Sequence, residues 1–190
     1  MVWLGDSTAA GVGASGAGAS LPRLVAAALD RPVDLRVLAV SGDRVADVVA
    51  DQLPAVGQAD LVFVSVGAND VTHLTTRGDF GRSYRRLLDG LPPGATVVVL
   101  GVPDMGSPPR LAQPLRAVAG LRGRQLADVI RSTAARNGAA FVDVAGATGP
   151  AFRRDPGRYF ADDGYHPSDD GYRLWADAVL AVVGSGGPGE

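Results

Sequence analysis

The chain has 190 residues, 46% of them hydrophobic and 20% charged, which is enough for one domain with its own core and cramped for two. A net charge of −2 provides no basic field toward nucleic acid or an anionic membrane surface. The absence of cysteine excludes a thiolate nucleophile, a disulfide framework and a thiolate zinc site, and leaves the redox compartment open.

Short β-branched runs alternate with longer helical stretches, the pattern of a parallel sheet covered on both faces. In chain order the pattern predicts a strand over 2–4, a helix over about 20–29, a strand over 33–40 and a helix over 45–52. A strand over 61–66, a helix over 80–88, a strand over 96–100, a helix over 121–137, a strand over 140–142 and a helix over 168–183 complete it. The third and fourth strands are almost continuously apolar, as expected for strands buried on both faces. The last helix starts after Pro167 with Asp169 and Asp170 in its first turn, and Leu174, Trp175, Ala178, Val179 and Val182 are expected to face the sheet. No repeat or linker interrupts the chain, so one domain is expected over 1–184, with a flexible Gly/Pro-rich tail over 185–190. Residues 103–114 hold four prolines and form the longest irregular segment, expected either to wall a substrate pocket or to be a surface connection.

No apolar run approaches the roughly 20 residues that span a bilayer, and no signal peptide is visible. The strand over 2–4 is short and nothing precedes it, so a leader, anchor or lead-in segment is expected to be missing. As it stands the chain reads as cytoplasmic; with such a leader it would be exported or membrane-anchored.

In an open parallel sheet, ligands bind beyond the carboxyl ends of the strands. Four polar clusters follow candidate strands or sit in a late loop. Gly5-Asp6-Ser7 follows the first strand, where a serine is either a helix cap or a nucleophile presented at the sheet edge. Ser41-Gly42-Asp43 follows the second; its glycine is either a plain turn residue or a close-approaching backbone donor. Gly67-Ala68-Asn69-Asp70 closes the third, where Asn69 either tolerates left-handed geometry or offers a neutral side-chain donor. Asp163-Gly164-Tyr165-His166-Pro167 precedes the final helix. His166 suits a general base near neutral pH and Asp163 can hold its ring, although Asp-x-x-His also fits a pair of metal ligands, for which no third ligand has supporting spacing.

Taken together and in this order, the four blocks resemble those of the SGNH/GDSL hydrolase family, and the resemblance covers residue 4 to about 182. It implies a flavodoxin-like three-layer α/β/α sandwich around a five-stranded parallel sheet. It implies an esterase or lipase-like serine hydrolase with Ser7 as nucleophile, His166 as general base and acid, and Asp163 orienting His166. The backbone N–H groups of Ser7 and Gly42 and the side-chain amide of Asn69 would form the oxyanion hole. No metal or organic cofactor is implied, and the substrate would be a small-molecule, glycan or lipid ester. An O-acyltransferase shares the first half-reaction; a non-catalytic glycan- or lipid-binding module is a third reading, disfavoured by the intact Ser7, Asn69, Asp163 and His166. The general α/β-hydrolase elbow, Gly-x-Ser-x-Gly, does not occur at Ser7. His73 reads as a loop or cap residue, Asp6 and Asp70 as supports of their turns, Tyr165 and Trp175 as packing residues, and Arg82, Arg85 and Arg86 as a solvated helix face. Oligomeric state is not legible.

Overall fold

A computed structural model describes residues 1–29 and 31–185. Five parallel strands, β1 (Val2–Gly5), β2 (Arg36–Val37), β3 (Leu61–Ser65), β4 (Thr96–Leu100) and β5 (Ala140–Val142), pair in the order β2-β1-β3-β4-β5. The chain steps outward from β1 to β2, returns to the other side of β1 as β3, and continues through β4 to β5. The order therefore reverses between β1 and β3, which makes their carboxyl ends the switch point where a crevice opens.

Side-chain alternation builds a core on each face. Val2, Leu4, Val62, Val64 and Val99 point to one side, where they meet α3 (Val45–Asp47), α5 (Arg77–Asp89) and α6 (Leu115–Arg136) through Val45, Phe80, Tyr84, Leu126 and Ile130. Trp3, Phe63, Val98, Leu100 and Val142 point to the other, against α2 (Leu21–Ala28), α7 (Val144–Arg154) and α9 (Asp169–Ser185). Register partners Trp3 and Phe63 stack at 4.3 Å. Three short helices, α1 (Ser7–Ala10), α4 (Ala68–Thr72) and α8 (Pro156–Tyr159), sit directly after chain turns. The result is the expected three-layer α/β/α arrangement.

Several boundaries differ from the sequence reading. The strand expected over 33–40 forms a ladder only at Arg36–Val37, because an edge strand has one neighbour; Leu38 and Val40 still donate to Trp3 and Gly5 carbonyls at 2.9 and 3.1 Å. The helix expected from 121 begins at Leu115. α7 was not anticipated, since Gly146, Gly149 and Pro150 are poor helix residues. It forms because Asp143 caps Gly146 N–H at 2.9 Å and because Val144, Thr148 and Phe152 are buried. In α9 the buried stripe is Tyr172, Trp175, Ala176 and Val179, with Leu174, Ala178 and Val182 at its half-buried margin. Ser185, expected as the first residue of the tail over 185–190, closes α9 instead; residues 186–190 of that tail lie outside the described residues. Among the described residues, no helix is long and apolar enough to cross a membrane.

After α3 the chain widens into a π-helical turn, Val48–Gln52. This turn aims the Gln52 side chain inward, 3% exposed, at the end of β1. Gln52 Oε1 accepts from Gly5 N–H at 2.9 Å, and its Nε2 donates to Gly5 C=O at 2.8 Å and to Asp43 Oδ2 at 2.7 Å. Gly5 needs that clamp because its φ of +149° takes its N–H out of the strand ladder. A side chain there would place Cβ 2.0 Å from Ser65 C=O. Gln52→Leu leaves Gly5 N–H buried without an acceptor, so stability is expected to fall by about 2 kcal/mol. The test is a urea titration in which the midpoint drops at constant slope; an unchanged midpoint rejects the clamp.

Candidate active site

Asp6, just beyond β1, is the N-cap of α1. Its Oδ1 accepts from Thr8 N–H at 3.1 Å and from Thr8 Oγ1 at 2.9 Å, which turns the chain sharply and presents Ser7 on the first residue of the helix. The late loop folds into a small hairpin, closed by Ala161 N–H to His166 C=O at 2.8 Å and by the Phe160–Pro167 bridge. Asp163 organises that loop from inside: Oδ1 accepts from the N–H groups of Tyr165 and His166, each at 2.9 Å. Its Oδ2 lies 2.5 Å from His166 Nδ1, and His166 Nε2 lies 2.9 Å from Ser7 Oγ.

Thus 159 residues of sequence separation close into one hydrogen-bonded chain, Ser7–His166–Asp163. A carboxylate only accepts, so Nδ1 carries the imidazole proton and Nε2 is the acceptor for the Ser7 hydroxyl. Burial raises the Asp163 pKa, but the bonds from the His166 ring, His166 N–H and Tyr165 N–H outweigh it and hold the carboxyl below its ordinary range. With Nε2 turned to Ser7, the pair is arranged for proton transfer, not for a shared metal. Among the described residues, no group of three or more His, Asp or Glu side chains is placed to hold a metal ion.

On the other side of Ser7, three elements are tied together. Asn69, in α4, donates from Nδ2 to Asp43 C=O at 2.9 Å, and Gln52 holds the Asp43 carboxylate. The 41–43 turn is thereby fixed to the ends of both β1 and β3. Gly42 sits there with φ +96° and open space where a side chain would point. Among the described residues, neither Ser7 N–H nor Gly42 N–H has a hydrogen-bond acceptor, and Asn69 keeps a second amide hydrogen free of Asp43. Asp70 supports this region as anticipated, its Oδ2 accepting from Val45 N–H at 3.0 Å. His73 is exposed and bonds through Nδ1 to Asn69 C=O at 2.9 Å, capping α4.

Beside Ser7 and His166 lies an apolar cavity of about 30 Å³. Phe152, Phe160 and Trp175 line it, together with Pro103, Met105 and Pro108 from the irregular segment after β4. The proline-rich loop is therefore a pocket wall, and Tyr165 and Trp175 both pack and border the cavity. Burial pushes the Tyr165 phenol up to about 12, so it stays protonated. Sequence reasoning missed Gln52. Its signal was a polar residue on the apolar stripe of Val45 and Val48, at helical spacing from both.

A model of the GDSL-like lipase/acylhydrolase family matches residues 3–174. The chain belongs to that family. It is 35% identical to a GDSL-like esterase of Mycobacterium tuberculosis over 197 aligned positions, covering 94% of this chain and 60% of that protein. The chain thus spans about 60% of that curated relative's length. A lipase/acylhydrolase of Enterococcus faecalis superposes with a TM-score of 0.76 at 23% identity, covering 100% of this chain and 98% of the other. A phospholipase A1 of Streptomyces albidoflavus does so with 0.71 at 22%, covering 95% and 98%. At these identities the two structures establish a shared fold, and the GDSL/SGNH fold is the one read from the sequence.

One further titratable group of this GDSL-family site lies directly beside Ser7. Asp6 is 1% exposed, and burial pushes its pKa from 3.8 up to about 6, against the pull of Thr8 N–H, the Thr8 hydroxyl and Gly67 N–H. A carboxyl with a folded pKa above its unfolded value favours folding when protonated. The stability tied to Asp6 is therefore fully present below about pH 4 and is lost as pH rises through about 6. The shift corresponds to about 3 kcal/mol. Asp6→Asn removes the charge, so its Tm relative to wild type is expected to climb by about 5 °C or more between pH 4.5 and 7.5. A pH-independent difference rejects the charge penalty.

Proposed function

We propose that this chain is a carboxylic ester hydrolase that works through an acyl-enzyme on Ser7. The observation that carries the proposal is the continuous chain from Ser7 Oγ through both ring nitrogens of His166 to Asp163. Membership of a lipase/acylhydrolase family and the likeness to an esterase support the same chemistry.

In the first half-reaction Ser7 Oγ attacks the ester carbonyl carbon while its proton passes to His166 Nε2. The imidazolium formed is held by Asp163, whose ionised state at neutral pH follows from the bonds that lower its pKa. The carbonyl oxygen becomes an oxyanion, and the donors free to receive it are Ser7 N–H, Gly42 N–H and the Asn69 amide. Collapse breaks the bond to the alcohol oxygen, which takes the proton from Nε2 and leaves. Water then repeats the sequence on the acyl-enzyme: Nε2 takes its proton, the C–Oγ bond breaks, and Ser7 recovers its hydrogen as the acid departs. The acyl group stays attached through both halves, whereas the alcohol must leave between them. The enclosed apolar cavity therefore suits the acyl group, and the open side suits the alcohol.

Hydrolysis of p-nitrophenyl acetate and butyrate, with fluorophosphonate labelling, tests the assignment. Ser7→Ala is expected to lose turnover and label together; turnover that survives means another nucleophile. Asn69→Ala is expected to lower kcat by about 10²–10³ with labelling of Ser7 still detectable. Full activity in that variant removes Asn69 from the oxyanion hole.

A further inference from the structure

On the measure by which one water needs about 10–15 Å³, the 30 Å³ cavity beside Ser7 has room for only a few atoms. Immediately beyond it lies a groove of about 450 Å³, between α6 and α7, lined by Arg124, Arg131 and Arg153. Pro103 and Asp104 border both spaces. The partition between a small dead end and a large groove is thus the start of the loop after β4.

Asp104 holds that partition in place. Its Oδ1 accepts from Gly106 N–H at 3.1 Å, and its C=O accepts from Ser107 N–H at 3.0 Å and Ser107 Oγ at 2.6 Å, so it fixes the fold of its own loop. Its Oδ2 is ion-paired with Arg153, at the C-terminal end of α7. The Asp104 side chain is 13% exposed and that of Arg153 54%, so the pair runs from the cavity wall outward into the groove. It crosses α7 at Gly149. A Cβ there would lie 3.2 Å from both Arg153 and Asp104 side-chain atoms, so the helix backbone and the ion pair are in near contact. Gly149 also lines the cavity. The pair therefore ties one cavity wall, the loop, to the other, α7.

We infer that the Asp104–Arg153 ion pair is the end stop of the acyl cavity and restricts this site to esters of short acyl groups. The inference rests on the proposal that Ser7 carries the acyl group into that cavity. A longer chain would have to displace Arg153 and strip a half-enclosed carboxylate of its partner. Without the pair, the chain would continue across the glycine face of α7 into the groove. Arg153 and Asp104 are positioning residues in this account: neither touches the reacting atoms.

The test compares wild type, Arg153→Ala and Arg153→Lys on p-nitrophenyl acetate, butyrate, hexanoate and octanoate, with fluorophosphonate labelling of Ser7 in each. Wild type is expected to prefer the two shortest esters. Because a methylene in an apolar pocket changes kcat/KM by about 10-fold or more, Arg153→Ala is expected to raise the octanoate-to-acetate ratio at least about tenfold. Its acetate kcat and its rate of labelling are expected to stay near wild type, and Arg153→Lys to restore the short-chain preference. A general loss of order would lower all four esters alike. A ratio unchanged in Arg153→Ala, or a wild type that already prefers octanoate, overturns the end stop while labelling keeps the Ser7 assignment intact. Absence of both turnover and labelling in wild type overturns the assignment and the end stop together.

Discussion

Both backbone polar groups of Gly5 are held by one buried carboxamide, that of Gln52, and the geometry around Ser7 depends on this clamp. A parallel strand normally hands its N–H and C=O groups to its neighbours. The Gly5 N–H leaves that ladder, while its C=O still accepts from Val40 N–H, because the chain must swing from β1 into α1 within two residues, at a φ that only glycine tolerates in contact with Ser65. The π-helical turn supplies the replacement partner, and the same Gln52 side chain fixes Asp43. One residue thereby sets the position of the serine turn and the Gly42 turn relative to each other. Asn69 reaches Asp43 C=O from the end of β3, so the three elements at the switch point are tied together by side-chain hydrogen bonds.

Two carboxylates flank Ser7 and His166, and the protein pushes them in opposite directions. Asp163, at the loop surface, receives two backbone N–H bonds and the imidazole, and is held ionised. Asp6, fully enclosed behind the serine, is raised toward 6 by burial in spite of its bonds. A pair of groups driven apart in this way separates roles. The surface carboxylate is available to balance a transient imidazolium, whereas the buried one shapes the turn and carries a stability cost when ionised. The cost falls at the residue adjoining the proposed nucleophile, which is where strain and burial are expected to be tolerated.

The sheet and most of its helices were legible because buried parallel strands write themselves as apolar runs, as at residues 61–66 and 96–100. The Ser7, Asn69 and His166 loops were legible because each sits at a strand end or carries its partner three residues away, as Asp163 does for His166. What stayed hidden was long-range. Nothing in the sequence of α7, with its glycines and proline, signals a helix, because its order comes from burial of Phe152 and the cap at Asp143. The tie between Asp104 and Arg153 joins residues 49 apart in sequence, and no local pattern pairs them. Gln52 was visible only as a polar residue out of place on an apolar stripe. Its role follows from the π-turn that redirects it, a distortion of helix geometry that its neighbours do not spell out.

The strand order divides the site into two halves with different duties. The ends of β1, β2 and β3 bring the serine turn, the Gly42 turn and Asn69, with Gln52, Asp43 and Asn69 cross-linked by hydrogen bonds. The loops after β4 and β5, with α7 and α9, bring the apolar cavity, lined by aromatic and proline side chains and bordered by the Asp104–Arg153 ion pair. His166 stands at the border, bonded to Ser7 on one side and edge-on to the Tyr165 ring at 5.1 Å on the other. α9 reaches the serine side, with Tyr172 Oη donating to Val12 C=O at 2.6 Å and Asp169 accepting from Ser15. Among the described residues no hydrogen bond joins the loop of residues 101–114 to the Ser7, Gly42 or Asn69 turns, so that loop is expected to change shape without moving the proposed oxyanion donors. In the proposed reaction the first half sets what bond is attacked, and the second sets which acyl group can be brought to it.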